Sequence, residues 1–138
     1  MPEPPQDVPG GATVKILLVD DDAALVGLLR LVLEYEGHTV QTAYTGQEAL
    51  EALEEEQPDL VILDIMMPDI NGIEVCARIR ATPHLAHLPI AILTAKPGEE
   101  DRIRAMEAGA DAYWMKPLSP RQLKQRIRDL MYDRVPVL

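Results

Sequence analysis

Two hydrophobic rhythms alternate along this chain. Short apolar runs at 14–19 (VKILLV), 39–43 (TVQTA), 60–63 (LVIL), 90–93 (IAIL) and 112–115 (AYWM) read as strands. Between them lie stretches with helical spacing. The first, 23–36, carries Leu25, Leu28, Leu29, Val32 and Leu33, and Gly37 behind it stands where a C-terminal cap residue would. Thr45 opens a second helix whose Glu48 completes a capping box, and this helix stops near Glu56, ahead of Pro58. Further helices are predicted over 72–80, over 99–108 with Gly109 behind, and over 119–132.

Five strands and five helices therefore alternate. Strands that are apolar on both faces and joined by helices predict an α/β fold: a parallel sheet with right-handed crossovers and helices on both sides. In such a sheet a ligand site lies beyond the carboxyl ends of the strands.

At 138 residues the chain has room for one domain, which excludes a two-domain enzyme. Residues 1–13 hold four prolines and two glycines with almost nothing to bury, and read as a disordered tail. The domain proper is expected over 14–132, with 133–138 a C-terminal tail or the start of a linker. The composition, 47% hydrophobic and 26% charged, is that of a soluble globular protein.

Thirteen Lys and Arg stand against 23 Asp and Glu, a net charge of -10 that argues against direct nucleic-acid binding. A single cysteine, Cys76, makes no internal disulfide and no Cys-rich zinc framework. On the apolar side of its helix it reads as a buried, inert thiol. No apolar run is long enough to span a membrane, and the acidic start is not a secretory signal, so a cytoplasmic protein with no membrane partner is expected.

The strand ends carry the candidate chemistry. Asp20, Asp21 and Asp22 follow the first strand, Asp64 the third, Thr94 the fourth and Lys116 the fifth. Any one of these has an ordinary structural explanation, and for Asp22 an N-cap is the preferred one. As a set they would meet in one crevice, where several carboxylates require either a raised pKa or a hard cation. Oxygen-only ligands favour Mg²⁺. A carboxylate beside Mg²⁺, faced by a hydroxyl and an ammonium, has the parts for an aspartyl phosphate.

Four segments, 15–22 (KILLVDDD), 63–72 (LDIMMPDING), 93–95 (LTA) and 109–118 (GADAYWMKPL), together make the chain resemble a response-regulator receiver domain of two-component signalling. The resemblance covers about 14–132. It implies a flavodoxin-like, doubly wound fold like that of the chemotaxis regulators, with strand order 2-1-3-4-5. It also implies that Asp64 is the phosphoacceptor, that Asp20 and Asp21 are the acidic pair for Mg²⁺ with Asp64 and the Met66 backbone carbonyl as further ligands, and that Thr94 and Lys116 serve the phosphoryl group. Thr94 and Tyr113 correspond to the family's switch pair, and a cis bond is implied before Pro117.

Asn71, Leu118 and the lack of any Phe depart from the commonest family pattern without removing a chemical group from the site. Met66 and Lys96 each lie two residues beyond a site residue, at positions that border the water path to the phosphate in the family; gap-filling and a solvated charge are the plainer alternatives. Trp114, mid-strand, is expected in the core.

The family's mechanism implies that phosphorylation draws Thr94 toward the new oxygens, lets Tyr113 rotate, and reshapes the surface of the fourth helix, fifth strand and fifth helix. The implied partners are a histidine kinase or histidine phosphotransfer protein and a downstream effector or output domain, with a homodimer through that surface also allowed. Such a protein is a signalling phosphoacceptor rather than an enzyme, apart from slow self-catalysed phosphorylation and dephosphorylation.

Other residues read more plainly. His38, His84 and His87 are expected at the surface or in turns; Glu51, Glu54, Glu55 and Glu56 form an acidic helix face. Arg121, Lys124, Arg126 and Arg128, with Arg134 beyond, are either a solvated face or a partner surface. Two other functions remain open on the sequence. One is a Mg²⁺-dependent phosphohydrolase resembling the haloacid dehalogenases, with Asp20 as nucleophile; the other is an interaction module that works without phosphate.

Overall fold

The computed structural model describes residues 13–95 and 98–132. Lys96, Arg134 and, apart from Thr13, the two expected tails lie outside the described residues. The elements run β1 Lys15–Val19, α1 Ala23–Tyr35, β2 Thr39–Ala43, α2 Gly46–Glu55, β3 Leu60–Leu63, α3 Gly72–Ala81, β4 Ile90–Thr94, α4 Glu99–Glu107, β5 Ala112–Met115 and α5 Pro120–Tyr132. The expected boundaries differ by no more than a residue, mostly where a cap residue stands just outside its helix.

All four strand pairings are parallel, in the order β2-β1-β3-β4-β5. β1, β3 and β4 are interior, and apart from Lys15 every residue in them is buried. That is why they read as continuous apolar runs. β2 and β5 are edges and only partly buried, which the Thr and Gln residues of β2 match while β5 stays apolar.

Alternation along the strands divides the core in two. Ile16, Leu18, Leu60, Ile62, Leu93 and Trp114 pack with Val26, Leu29 and Leu33 of α1 and with Leu123 and Ile127 of α5. Leu17, Val19, Val61, Leu63, Ile90 and Ile92 point the other way, onto Ala49 and Leu53 of α2, Val75 and Ile79 of α3 and Ala105 of α4. Both helical layers are thus tied to the same five strands, which fixes where the strands end.

The helix ends follow the side chains that cap them. The Asp22 carboxylate accepts the Leu25 N–H, and Thr45 Oγ1 accepts that of Glu48. The expected capping box at α2 closes one residue early, since Glu48 Oε1 takes the Tyr44 N–H rather than that of Thr45. A full reciprocal box forms instead at α5, between Ser119 and Gln122. Gly37 and Gly109 stand at φ +95° and +105°, in the left-handed region where a side chain would be strained. Among the described residues no helix is long and apolar enough to cross a membrane.

Candidate functional site

Each site residue stands where a parallel ladder runs out. The Asp20 N–H donates to the Ala43 carbonyl that ends β2 (3.1 Å), Asp64 N–H to the Val19 carbonyl that ends β1 (3.0 Å), and Lys116 N–H to the Thr94 carbonyl that ends β4 (2.9 Å). Val19 pairs with both Ala43 and Leu63, so β1, β2 and β3 end level, while β4, whose Ile92 pairs with Leu63, runs two residues further and ends level with Met115 of β5. Strand register alone thereby joins residues far apart in the chain.

The Lys116 ammonium bridges two carboxylates, donating to Asp20 Oδ2 at 2.6 Å and to Asp64 Oδ2 at 3.1 Å. Asp20, Asp64 and Thr94 are the buried polar side chains of the molecule among the described residues. The remaining oxygens are also used: Asp20 Oδ1 accepts the Asp22 N–H and Asp64 Oδ1 the Ile65 N–H, at 3.0 and 2.7 Å.

Burial pushes the Asp20 carboxyl above its ordinary range, aided by the nearby Asp64, and the bond from Lys116 and that from the Asp22 amide offset part of this. For Lys116 burial works against the charged form, but its bonds to Asp20 and Asp64 outweigh it and the pKa rises. One ammonium therefore binds both carboxylates, and one of them, Asp20, is an acid that burial alone would drive toward neutrality.

Asp20, Asp21 and Asp64 each offer an oxygen within 4.8 Å of the others. Asp21 is exposed where the other two are buried, giving the cluster a solvent side. Three converging carboxylates with no nitrogen or sulfur donor fit a hard, oxygen-seeking metal ion.

Glycine makes room for this arrangement. A Cβ on Gly72 would lie 2.0 Å from the Asp64 carbonyl oxygen, so α3 can begin directly against the acceptor loop only with glycine there. Asn71 caps that helix through Oδ1 to the Ile73 N–H, so the departure at this position leaves the helix capped. The Lys116–Pro117 bond is cis, as expected.

The molecule's likeness to known proteins agrees with this geometry. The family model for the response regulator receiver domain matches residues 16–128. The chain belongs to the response regulator receiver family.

Among its relatives, the receiver is 45% identical over 117 residues to the alkaline phosphatase synthesis transcriptional regulatory protein PhoP of Bacillus subtilis (strain 168), covering 85% of this chain and 48% of that protein. It is 45% identical over 122 residues to the phosphate regulon transcriptional regulatory protein PhoB of Rhizobium meliloti (strain 1021), covering 88% and 54%. The chain spans about half the length of the curated relatives it matches. A solved CheY-like response regulator receiver domain protein from Methanospirillum hungatei JF-1 superposes with a TM-score of 0.82 at 34% identity, covering 88% of this chain and 96% of that one.

The remaining expected residues lie in β4, β5 and the loop after β3. Thr94 is wholly buried at the end of β4. Met66 lies in the loop after Asp64 with its side chain 61% exposed, which rules out gap-filling in a core. Tyr113 is half-buried, packed on the core beneath α4. Trp114, one residue on, points to the opposite face and is buried.

Cys76 is buried, with burial pushing its thiol up to about 11. His84 and His87 are exposed. His38 stands in the turn connection between α1 and β2, as expected, but is half-buried there and accepts the Val14 N–H at Nδ1, because β1 passes alongside. Lys124 is more than a solvated charge, since it pairs with Glu36 beyond α1 at 3.4 Å.

Three polar residues with structural consequences carried no sequence signal. Asp69 binds the first turn of α2, and Arg80 with Asp111 ties α3 to the turns on either side of β4. Apart from the Ala86 and Leu88 carbonyls, which Arg80 also binds, their partners lie more than 20 residues away, beyond the reach of local spacing rules.

Proposed function

We propose that this chain is the phosphoacceptor of a two-component or phosphorelay system, taking a phosphoryl group onto Asp64 from a phosphohistidine of a histidine kinase or phosphotransfer protein. The observation that carries this is the Lys116 ammonium bridging Asp20 and Asp64 at 2.6 and 3.1 Å beside Asp21. An Asp64 carboxylate oxygen attacks phosphorus, the P–N bond breaks, and the donor imidazole leaves with the electron pair.

Asp20, Asp21, Asp64 and the Met66 carbonyl would hold Mg²⁺, which supplies charge neutralisation for the transferring oxygens. Lys116 neutralises the same charge from the β5 side. Thr94, at the end of β4, donates its hydroxyl to the phosphoryl oxygens and is thereby drawn toward them. Tyr113 follows, and the α4-β5-α5 surface changes shape.

Output would pass through a downstream effector or output domain, or through a homodimer formed on that surface. The net charge of -10 supports protein contact over direct nucleic-acid contact by this chain. The proposed setting is the cytoplasm, which supplies ATP to the kinase. Catalysis is confined to slow self-phosphorylation and dephosphorylation.

Incubation with Mg²⁺ and acetyl phosphate, followed by intact mass, tests this on wild type, Asp64→Asn and Asp20→Asn. One labile phosphate, lost in Asp64→Asn, is the expected result. A label that survives Asp64→Asn and vanishes in Asp20→Asn would instead make Asp20 the nucleophile, as in a hydrolase. No label on the folded wild type would leave an interaction module that works without phosphate.

A further inference from the structure

The loop from Asp64 to α3 is pinned by hydrogen bonds at two places, while the Met67 and Ile70 side chains pack against the core. Ile65, fully buried, pins its start: its N–H donates to Asp64 Oδ1 and its carbonyl accepts the Gly72 N–H at 2.8 Å. Asp69 pins its far side, with Oδ1 accepting the Gly46 N–H and Oδ2 the Gln47 N–H, both at 2.9 Å. Only Met66, Met67 and Pro68 lie between the two pins.

The second pin is more than a cap for α2. That helix already has its own cap in Thr45, which satisfies the Glu48 amide, while Glu48 returns to Tyr44. What the Asp69 carboxylate adds is a link between α2 and the acceptor loop. The two are also in close contact, because a Cβ on Gly46 would fall 2.8 Å from Ile70 Cβ and 3.1 Å from the Ile70 carbonyl oxygen.

We propose that Asp69 is a positioning residue for the metal site: by clamping the loop to the first turn of α2 it holds the 66–68 backbone, and with it the Met66 carbonyl, where a ligand is needed. Met66 commits no buried side chain to that task, so its backbone is held only through its neighbours. The inference rests on the proposed role of the Met66 carbonyl and extends it to a residue that touches neither metal nor phosphate. The clamp acts through an intermediary, as do outer partners that orient metal ligands elsewhere.

The test is calorimetric titration of the full chain with Mg²⁺ alone, for wild type, Asp69→Ala and Asp69→Asn, with amide hydrogen exchange at Gly46 and Gln47 in metal-free protein. Asp69→Ala is expected to bind Mg²⁺ about tenfold more weakly and to exchange both amides faster. Asp69→Asn keeps one acceptor oxygen and is expected to fall between the two. Labelling by acetyl phosphate should be slowed in Asp69→Ala at limiting Mg²⁺ and restored at saturating Mg²⁺.

Wild-type Mg²⁺ affinity in a folded Asp69→Ala would overturn the proposal and leave Asp69 a strut of the fold. If Asp69→Ala does not fold, Asp69→Asn decides by the same titration, wild-type affinity again overturning it. A wild type that takes up no Mg²⁺ would overturn the metal reading itself, a result distinct from the failure of Asp69 alone.

Discussion

His38 shows how one side chain links pH to the fold. Burial lowers its pKa, only partly opposed by Glu36, so the folded protein keeps the ring neutral and Nδ1 free to accept the Val14 N–H. The unfolded chain takes up a proton as pH falls below about 6.5, while the folded chain does so only at lower pH. The stability this residue contributes is therefore full above about pH 6.5 and is lost as pH falls from there toward the folded value. His38→Gln, which keeps an acceptor but no titration, should lose less melting temperature than wild type between about pH 7.5 and pH 5.5. Equal losses, read by circular dichroism, would show that His38 does not couple to folding. The neutral, bonded state of this ring depends on β1 lying beside it, which residue type does not reveal.

Arg80 does for the elements what no backbone ladder does. From the end of α3 its guanidinium donates to the Gly109 carbonyl behind α4, to the Ala86 and Leu88 carbonyls ahead of β4, and to Asp111 ahead of β5. Asp111 Oδ2 also takes the Ile90 N–H. Both side chains are about three-quarters shielded from solvent. Arg80→Ala should cost about 2–4 kcal/mol in urea unfolding, because it takes the charged donor away from three carbonyls and a carboxylate where water reaches them poorly. A loss below about 0.5 kcal/mol would place Arg80 among ordinary surface residues. Element positions were legible because each strand and helix carries its own periodicity and caps. This pin was not, since it joins loops that have no pattern in common.

For the whole molecule, the proposed phosphorylation turns the strand ends into a link between β3 and the α4-β5 side. β4 and β5 carry Thr94 and Tyr113 on adjacent strands under α4, with Lys116 just beyond. In the proposed phosphotransfer, phosphate at Asp64 biases the surface only through contacts it makes in one state and not the other, and Thr94 is the proposed sensor. Thr94→Ala should still take phosphate on Asp64 by intact mass. Its α4 and β5 amides should then keep the hydrogen-exchange rates of the unphosphorylated protein. Wild-type changes in exchange in that variant would remove Thr94 from the relay.

The sequence by itself determined the alternation of strands and helices, the parallel sheet and the acid, hydroxyl and lysine set at the strand ends, because periodicity and strand-end position are local properties. Its family motifs also pointed to Asp64 among the four candidate aspartates. Only the tertiary structure decided that Asp20 and Asp64 share the Lys116 ammonium while Asp21 faces solvent, that Gly72 yields its side-chain space to Asp64, and that Asp69 reaches back to α2. Those facts depend on strand register and helix packing, which set which distant residues meet and which are cut off from water.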